Sequence, residues 1–258
     1  MPSAHSTTRN PWTWVRILVL AILAWAIAQA VPYTGEDTLD IIVPYALNLG
    51  VLFSITVGFL MFKTLTRRTG LDEHIAVELN KIRRIYHLSL HLKKAHPSLE
   101  TWFERIRNAI ITYLKSFEGQ TFASYEKGNP LFRAVTYGVY TLPSLNEPYN
   151  TELYEGILQT TNEATEAREN IRSKKNDYIG RFAWFVVIII SLIFSIMIMA
   201  FTPHDALLRA IAAGVIFCLF LVIQLIYEHD RDGSVRERFL AKKYLHDLQA
   251  LESAQTEY

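Results

Sequence analysis

Four long apolar runs interrupt an otherwise polar chain: Trp14 to Val31, Ile41 to Phe62, Phe182 to Phe201 and Leu207 to Tyr227. A bilayer's hydrocarbon core is about 30 Å thick and takes about 20 helical residues to cross. Each run therefore has the length of a transmembrane helix. The third is the plainest, because Val186 to Ala200 contains no ionisable side chain.

Between the second and third runs the pattern changes to one apolar face per helix. Ile75, Leu79, Ile82, Ile85, Leu88 and Leu92 predict a helix over 71–95, ended by His96-Pro97. Trp102, Phe103, Ile106, Ile110 and Leu114 predict another over 98–117, closed by Gly119. Gly128-Asn129-Pro130, Pro143 and Pro148 then punctuate the chain, so 120–149 reads as short helices joined by turns. A polar helix starts near Thr151 and its pattern continues unbroken into the third apolar run. It is either solvated or packed through a narrow seam of Leu153, Ile157, Ala164 and Ile171. A last helix is predicted over 234–252, with Val235, Phe239, Leu245, Leu248 and Leu251.

These elements predict an all-α integral membrane protein with four transmembrane helices and a helical domain inserted between spans two and three. The expected divisions are a tail over 1–13, two spans in 14–63, a helical domain over 64–180, two spans in 181–227 and a C-terminal segment and helix over 228–258. Lys and Arg orient the assembly. The links Pro32 to Asp40 and Thr202 to Ala206 contain none, whereas Lys63 to Gly180 and the stretch after Tyr227 are rich in them. Both termini and the inserted domain are thus expected in the cytoplasm of a multi-pass cell-membrane protein, the inner membrane if the cell is bacterial. Arg16, Arg181 and Arg209 sit near span ends, where a cationic head can reach the interface. A rival reading of the first run is a secretory leader, since Arg9 and Arg16 precede it and Ala28-Gln29-Ala30 follows it.

Composition adds exclusions. The chain is half hydrophobic with a net charge of +1, so no bulk charge points to nucleic acid. A lone Cys218 excludes an internal disulfide. No phosphate-binding glycine loop, nucleophile elbow or His-Glu zinc motif is present, so an enzyme is not expected.

The second run carries two stripes. Val51, Ile55 and Phe59 are bulky and recur every four residues; Gly50, Ser54 and Gly58 do the same one position earlier and are small. Small residues let helices approach closely in lipid, and the bulky stripe beside them has the makings of a hydrophobic constriction that gates by sieving or dewetting. The same stripe also fits packing against lipid or other helices of the chain. Lys63 and Arg67 extend the four-residue series, either as a cationic mouth or as interfacial anchors. Asn48, one turn before Val51, is placed to line an outer vestibule or to hydrogen-bond between subunits.

Leu49-Gly50-Val51, Ser54-Ile55-Thr56-Val57-Gly58-Phe59 and Thr66-Arg67 resemble the second transmembrane segment of the bestrophins and their bacterial relatives. The order of spans and inserted helices is similar too. The resemblance implies an oligomeric ion channel, a homopentamer with one central pore conducting small inorganic ions. It also implies a neck at Val51, Ile55 and Phe59 among surrounding lipids. No cofactor is expected, calcium being the one candidate. The alternative is a membrane-anchored scaffold or signalling protein whose cytoplasmic helices bind a partner. Where bestrophins carry an acidic run and a Pro-Phe-Gly-like turn after the last span, this chain has Glu228, Asp230, Asp232 and Gly233 without the turn. Their spacing matches the start of a calcium loop, but the twelfth position is Phe239 rather than a bidentate Glu. Acidic residues there also serve as helix-dipole partners. His87 and His91 share a helix face without a third ligand and read as surface histidines.

Overall fold

The structure, a computed structural model, describes residues 11–143, 148–231 and 234–253. Among the described residues there are eight α-helices: α1 (Pro11–Ala30), α2 (Glu36–Ala95), α3 (Glu100–Lys115), α4 (Asn129–Tyr140), α5 (Pro148–Asn176), α6 (Arg181–Ala200), α7 (Ala206–Asp230) and α8 (Ser234–Ser253). Short 3-10 helices, Pro97–Leu99 and Phe122–Gly128, precede α3 and α4. Gly119 turns the chain after α3 with φ of 66°, a conformation that costs a glycine little. The chain divides into two compact units, one of Met1–Thr64 with Ile179–Arg231, the other of Leu65–Tyr178 with Asp232–Tyr258.

In the first unit, helical stretches within α2, α6 and α7 are long and apolar enough to cross a membrane, and Trp14–Ala30 of α1 is a shorter apolar helix. α1 packs on α6 and α7 through Ala24, Ala28, Met199, Ala212, Ala213 and Ile216. Such alanine seams bring backbones close where lipid offers no hydrophobic drive. Arg209 of α7 lies in this seam and is 8 % exposed. Its Nη1 donates to the Ala28 carbonyl at 2.8 Å and its Nη2 to the Val31 carbonyl at 3.1 Å. The expected interfacial anchor is therefore an internal cap: a cation at the carboxyl end of α1, where unpaired carbonyls and the helix dipole both favour it. Asp205 caps α7 itself, accepting from Leu207 and Leu208 backbone N–H at 2.9 and 3.0 Å.

In the second unit, Trp102, Phe103, Ile106, Ile110 and Leu114 of α3 are buried, as their spacing predicts, against Ile75, Ile82, Ile85 and Leu92 of α2 and Ile157, Ala164 and Ile171 of α5. The narrow seam of α5 is thus a packing seam. Three expectations change. Helix formation does not stop between the second apolar run and residue 71: α2 is one helix from Glu36 to Ala95, with Gly70 inside it. Conversely, the rod expected from Thr151 through the third apolar run is interrupted, since α5 ends at Asn176 and α6 starts at Arg181. Asp230, buried at the end of α7, accepts from the Ile179 N–H at 3.0 Å and stabilises the break. In α8, the buried line is Leu240, Ala241, Tyr244, Leu248 and Leu251, and Phe239 faces out with the Lys243 ammonium 5.4 Å from its ring centre.

Candidate functional site

The part of α2 in the first unit has distinct faces. On its inner face Phe53 is buried and its ring stacks on Phe194 of α6, with centres 5.7 Å apart and planes 23° apart. One to two turns on, Leu60 joins Ile179, Val187 and Ile226, with Val57 and Met61 packed against them. The outward face carries Val51, Ile55 and Phe59, which are 59 %, 66 % and 64 % exposed. All three sequence-selected bulky residues are therefore brought onto one open stripe. Exposure alone does not distinguish α2, because α1 and α6 also expose Leu18, Ile22, Ile188 and Leu192.

Beside the bulky stripe lies the small one, and it is split in two; α7 exposes a like pair of stripes, Ala210 and Gly214 beside Ile211 and Val215. A Cβ on Gly50 would lie 3.2 Å from the Phe194 ring, so Gly50 is already occupied within the chain. Gly58 would meet nothing within 4 Å, and Ser54 is exposed, its Oγ donating to the Gly50 carbonyl at 2.9 Å. That internal hydrogen bond lets a hydroxyl sit on an apolar face without an unpaired donor. Asn48 is exposed and lines, with Tyr45, Leu49, Leu52 and Met197, an open groove of about 360 Å³.

Lys63 is half-buried, whereas Arg67 is 2 % exposed. Arg67 donates from Nη1 to the Lys175 carbonyl at 3.5 Å, and its guanidinium carbon lies 4.7 Å from the Tyr178 ring centre. It does not continue the open stripe. The reason is helical geometry: a line drawn every four residues turns by about 40° per step, and four steps from Val51 carry it about 160° around the helix. Arg67 instead precedes buried Leu71 by one turn, so its charge is spent inside the second unit.

The description "Bestrophin-like domain" matches residues 14–232. This chain belongs to that family. Among solved structures, the bestrophin-like chain is similar to a bacterial bestrophin homologue from Klebsiella pneumoniae in two mutant forms. Both are 10 % identical to it, with TM-scores of 0.65 and 0.66; the aligned regions cover 92 % and 91 % of this chain and 98 % of the other. A structure described as a membrane protein is similar at 10 % identity and TM-score 0.65, covering 91 % of this chain and 96 % of that one. At such identity the likeness is one of fold. Among curated protein sequences none matches.

In this bestrophin-like chain the acidic residues in the last turn of α7 do work that their spacing did not announce. The Asp230 carboxylate turns inward, with Oδ1 on the Ile179 N–H and Oδ2 accepting from Trp184 Nε1 at 3.4 Å. Glu228 accepts from Gln224 Nε2 at 3.0 Å. Asp232 and Gly233 lie outside the described residues. His87 and His91 are exposed on α2, and among the described residues no three metal-ligating side chains converge.

Sequence reasoning missed the most polar core of the bestrophin-like chain. Glu78 of α2 is fully buried and accepts hydrogen bonds from Tyr113 at 2.7 Å, Tyr125 at 3.0 Å and Tyr244 at 2.7 Å. Its Oε1 also lies 3.2 Å from Nη1 of Arg168 on α5. Arg168 is satisfied in turn by the Tyr113 hydroxyl, the Asn129 side-chain oxygen and the Tyr125 carbonyl. Burial, and then the charge of Glu78, push the three tyrosine hydroxyls well above their usual pKa. A signal was available: Glu78 falls between Ile75 and Ile82, and Arg168 between Ala164 and Ile171, so each charge occupies a core position of its helix. A buried acid and a buried base on two helices call for each other.

Proposed function

We propose that the chain is one subunit of a homo-oligomeric ion channel, a pentamer as the family resemblance implies, with α2 lining a central pore. Val51, Ile55 and Phe59 form its hydrophobic neck, passing small inorganic ions by widening or wetting. The observation that carries this reading is the open bulky stripe flanked by the equally open Ser54 and Gly58. Small residues on an exposed edge let a neighbouring helix approach closely, and the family resemblance assigns the stripe of α2, rather than the like stripe of α7, to the pore. Gly50, already filled by Phe194, supports the neck from behind. Lys63 stands at the cytoplasmic mouth, Asn48 in the outer vestibule, and both termini lie in the cytoplasm.

The test is electrical. Purified protein in planar bilayers bathed in potassium chloride carries current, and Ile55→Ala and Phe59→Ala each change it by removing bulk from the constriction. Native mass spectrometry finds a single closed oligomer of five copies. A monomer or dimer, or absence of current from a monodisperse oligomer, overturns the proposal.

A further inference from the structure

We infer that Phe194 of α6 is a positioning residue for the neck, a wedge that sets how far α2 leans toward the pore axis. The inference rests on the neck reading above but concerns a residue that no ion would touch. Phe194 is half-buried, and its ring is held twice by α2: face to face with Phe53, and edge-on in the notch left by Gly50, where a Cβ would come within 3.2 Å of two ring carbons. Val51 is the next residue after that notch. The wedge therefore bears on α2 at the level where the open stripe begins.

Two surroundings make the wedge consequential. Beside it, between α2 and α6, lies the open groove lined by Tyr45, Asn48, Leu49, Leu52 and Met197, so this flank of α2 is not packed against its own chain. Below it in sequence, Pro44 sits inside α2. Proline lacks the N–H that closes the helical ladder and is a usual point of bending. A helix with a proline near its start, an open flank and one aromatic spacer against its neighbour has two directions to move. Losing the spacer lets α2 settle toward α6, withdrawing Val51 and Ile55 from the axis. Enlarging the spacer pushes them in. Small sliding of packed helices is an established route to such switching.

The two directions give the experiment its power, because damage to folding alone would move both variants the same way. In planar bilayers with potassium chloride on both sides, Phe194→Ala is expected to raise the current per oligomer and Gly50→Ala to lower it, each at least about fivefold. Phe194→Trp should stay on the low side and Phe194→Leu between wild type and Ala. Gel-filtration profiles identify which variants remain assembled, and Phe194→Leu takes the place of Phe194→Ala should the latter fall apart. If Ile55→Ala changes the current while the Phe194 and Gly50 variants leave it unchanged or shift it in one common direction, the wedge is overturned and the neck stands. If Ile55→Ala also leaves the current unchanged, the neck reading falls and the wedge with it.

Discussion

The hydroxyl of Tyr244 and the carboxylate of Glu78 meet at 2.7 Å across 166 residues of sequence. Through this contact the last helix, α8, closes over a buried charge to which α2, α3, α5 and the 3-10 helix Phe122–Gly128 all contribute. Removing one partner of a buried ion pair leaves the other uncompensated, at a cost of about 3–5 kcal/mol. Glu78→Gln should thus lower the thermal unfolding temperature of the detergent-solubilised protein markedly. Tyr244→Phe, which leaves the pair and removes one donor, should cost about 1–3 kcal/mol. Equal stability of Glu78→Gln and wild type would sink this account of the core.

The same site sets an upper pH limit. Tyr113, Tyr125 and Tyr244 have raised pKa values because burial and Glu78 disfavour their anions. A group whose folded pKa is raised contributes stability below its unfolded pKa and loses it above. The second unit should hold its fold up to about pH 10, the ordinary tyrosine value, and weaken beyond it. Tyrosinate absorbance followed against pH should show the buried phenols ionising together with loss of helical circular dichroism rather than before it.

Asp72 sets a limit in acid. Burial raises its pKa, but hydrogen bonds and charge from Lys243 at 2.6 Å and Arg236 at 2.9 Å outweigh that and hold it below the usual carboxylate value. Its stabilisation is present above its unfolded pKa of about 3.9 and is lost as pH falls through the lower folded one. Hydrogen exchange along α8 should accelerate below about pH 4. Asp72→Asn should show the faster exchange already at neutral pH, with less further change on acidification.

Arg209 gives a prediction for the membrane unit. Arg209→Met removes both donors to the Ala28 and Val31 carbonyls and leaves the end of α1 uncapped, a loss of about 1–3 kcal/mol. Arg209→Lys, a cation without the fork, should recover only part of it. The readout is proteolysis at the α1–α2 link, Val31 to Gly35, which should quicken in the order wild type, Lys, Met. Indistinguishable digestion of the three would remove the capping role.

Much of the architecture was readable from spacing. The apolar faces of α3 and α5 are buried as their periodicity predicts, because a 3.6-residue repeat allows a helix one way to hide its apolar side. Periodicity also places Val51, Ile55 and Phe59 along one side of α2, and that side is exposed rather than hidden. The partners of Arg67 were not readable, because its four-residue series drifts around the helix and the groups it meets, Lys175 and Tyr178, lie over a hundred residues away. The break at residues 177–180 was overlooked although Asn176-Asp177 and Gly180 mark it; the carboxylate that stabilises it belongs to Asp230, 51 residues away from Ile179.

Local sequence, then, determined which segments are helices, which of them suit a membrane, and which side of each is apolar, since these depend on propensity and periodicity within a few turns. Tertiary structure alone decided which charges are buried and with whom: Glu78 with Arg168 and three tyrosines, Arg209 with the end of α1, Asp230 with the start of α6. A charge can enter a core only where distant groups converge to satisfy it, and convergence is a property of the folded chain rather than of any stretch of it.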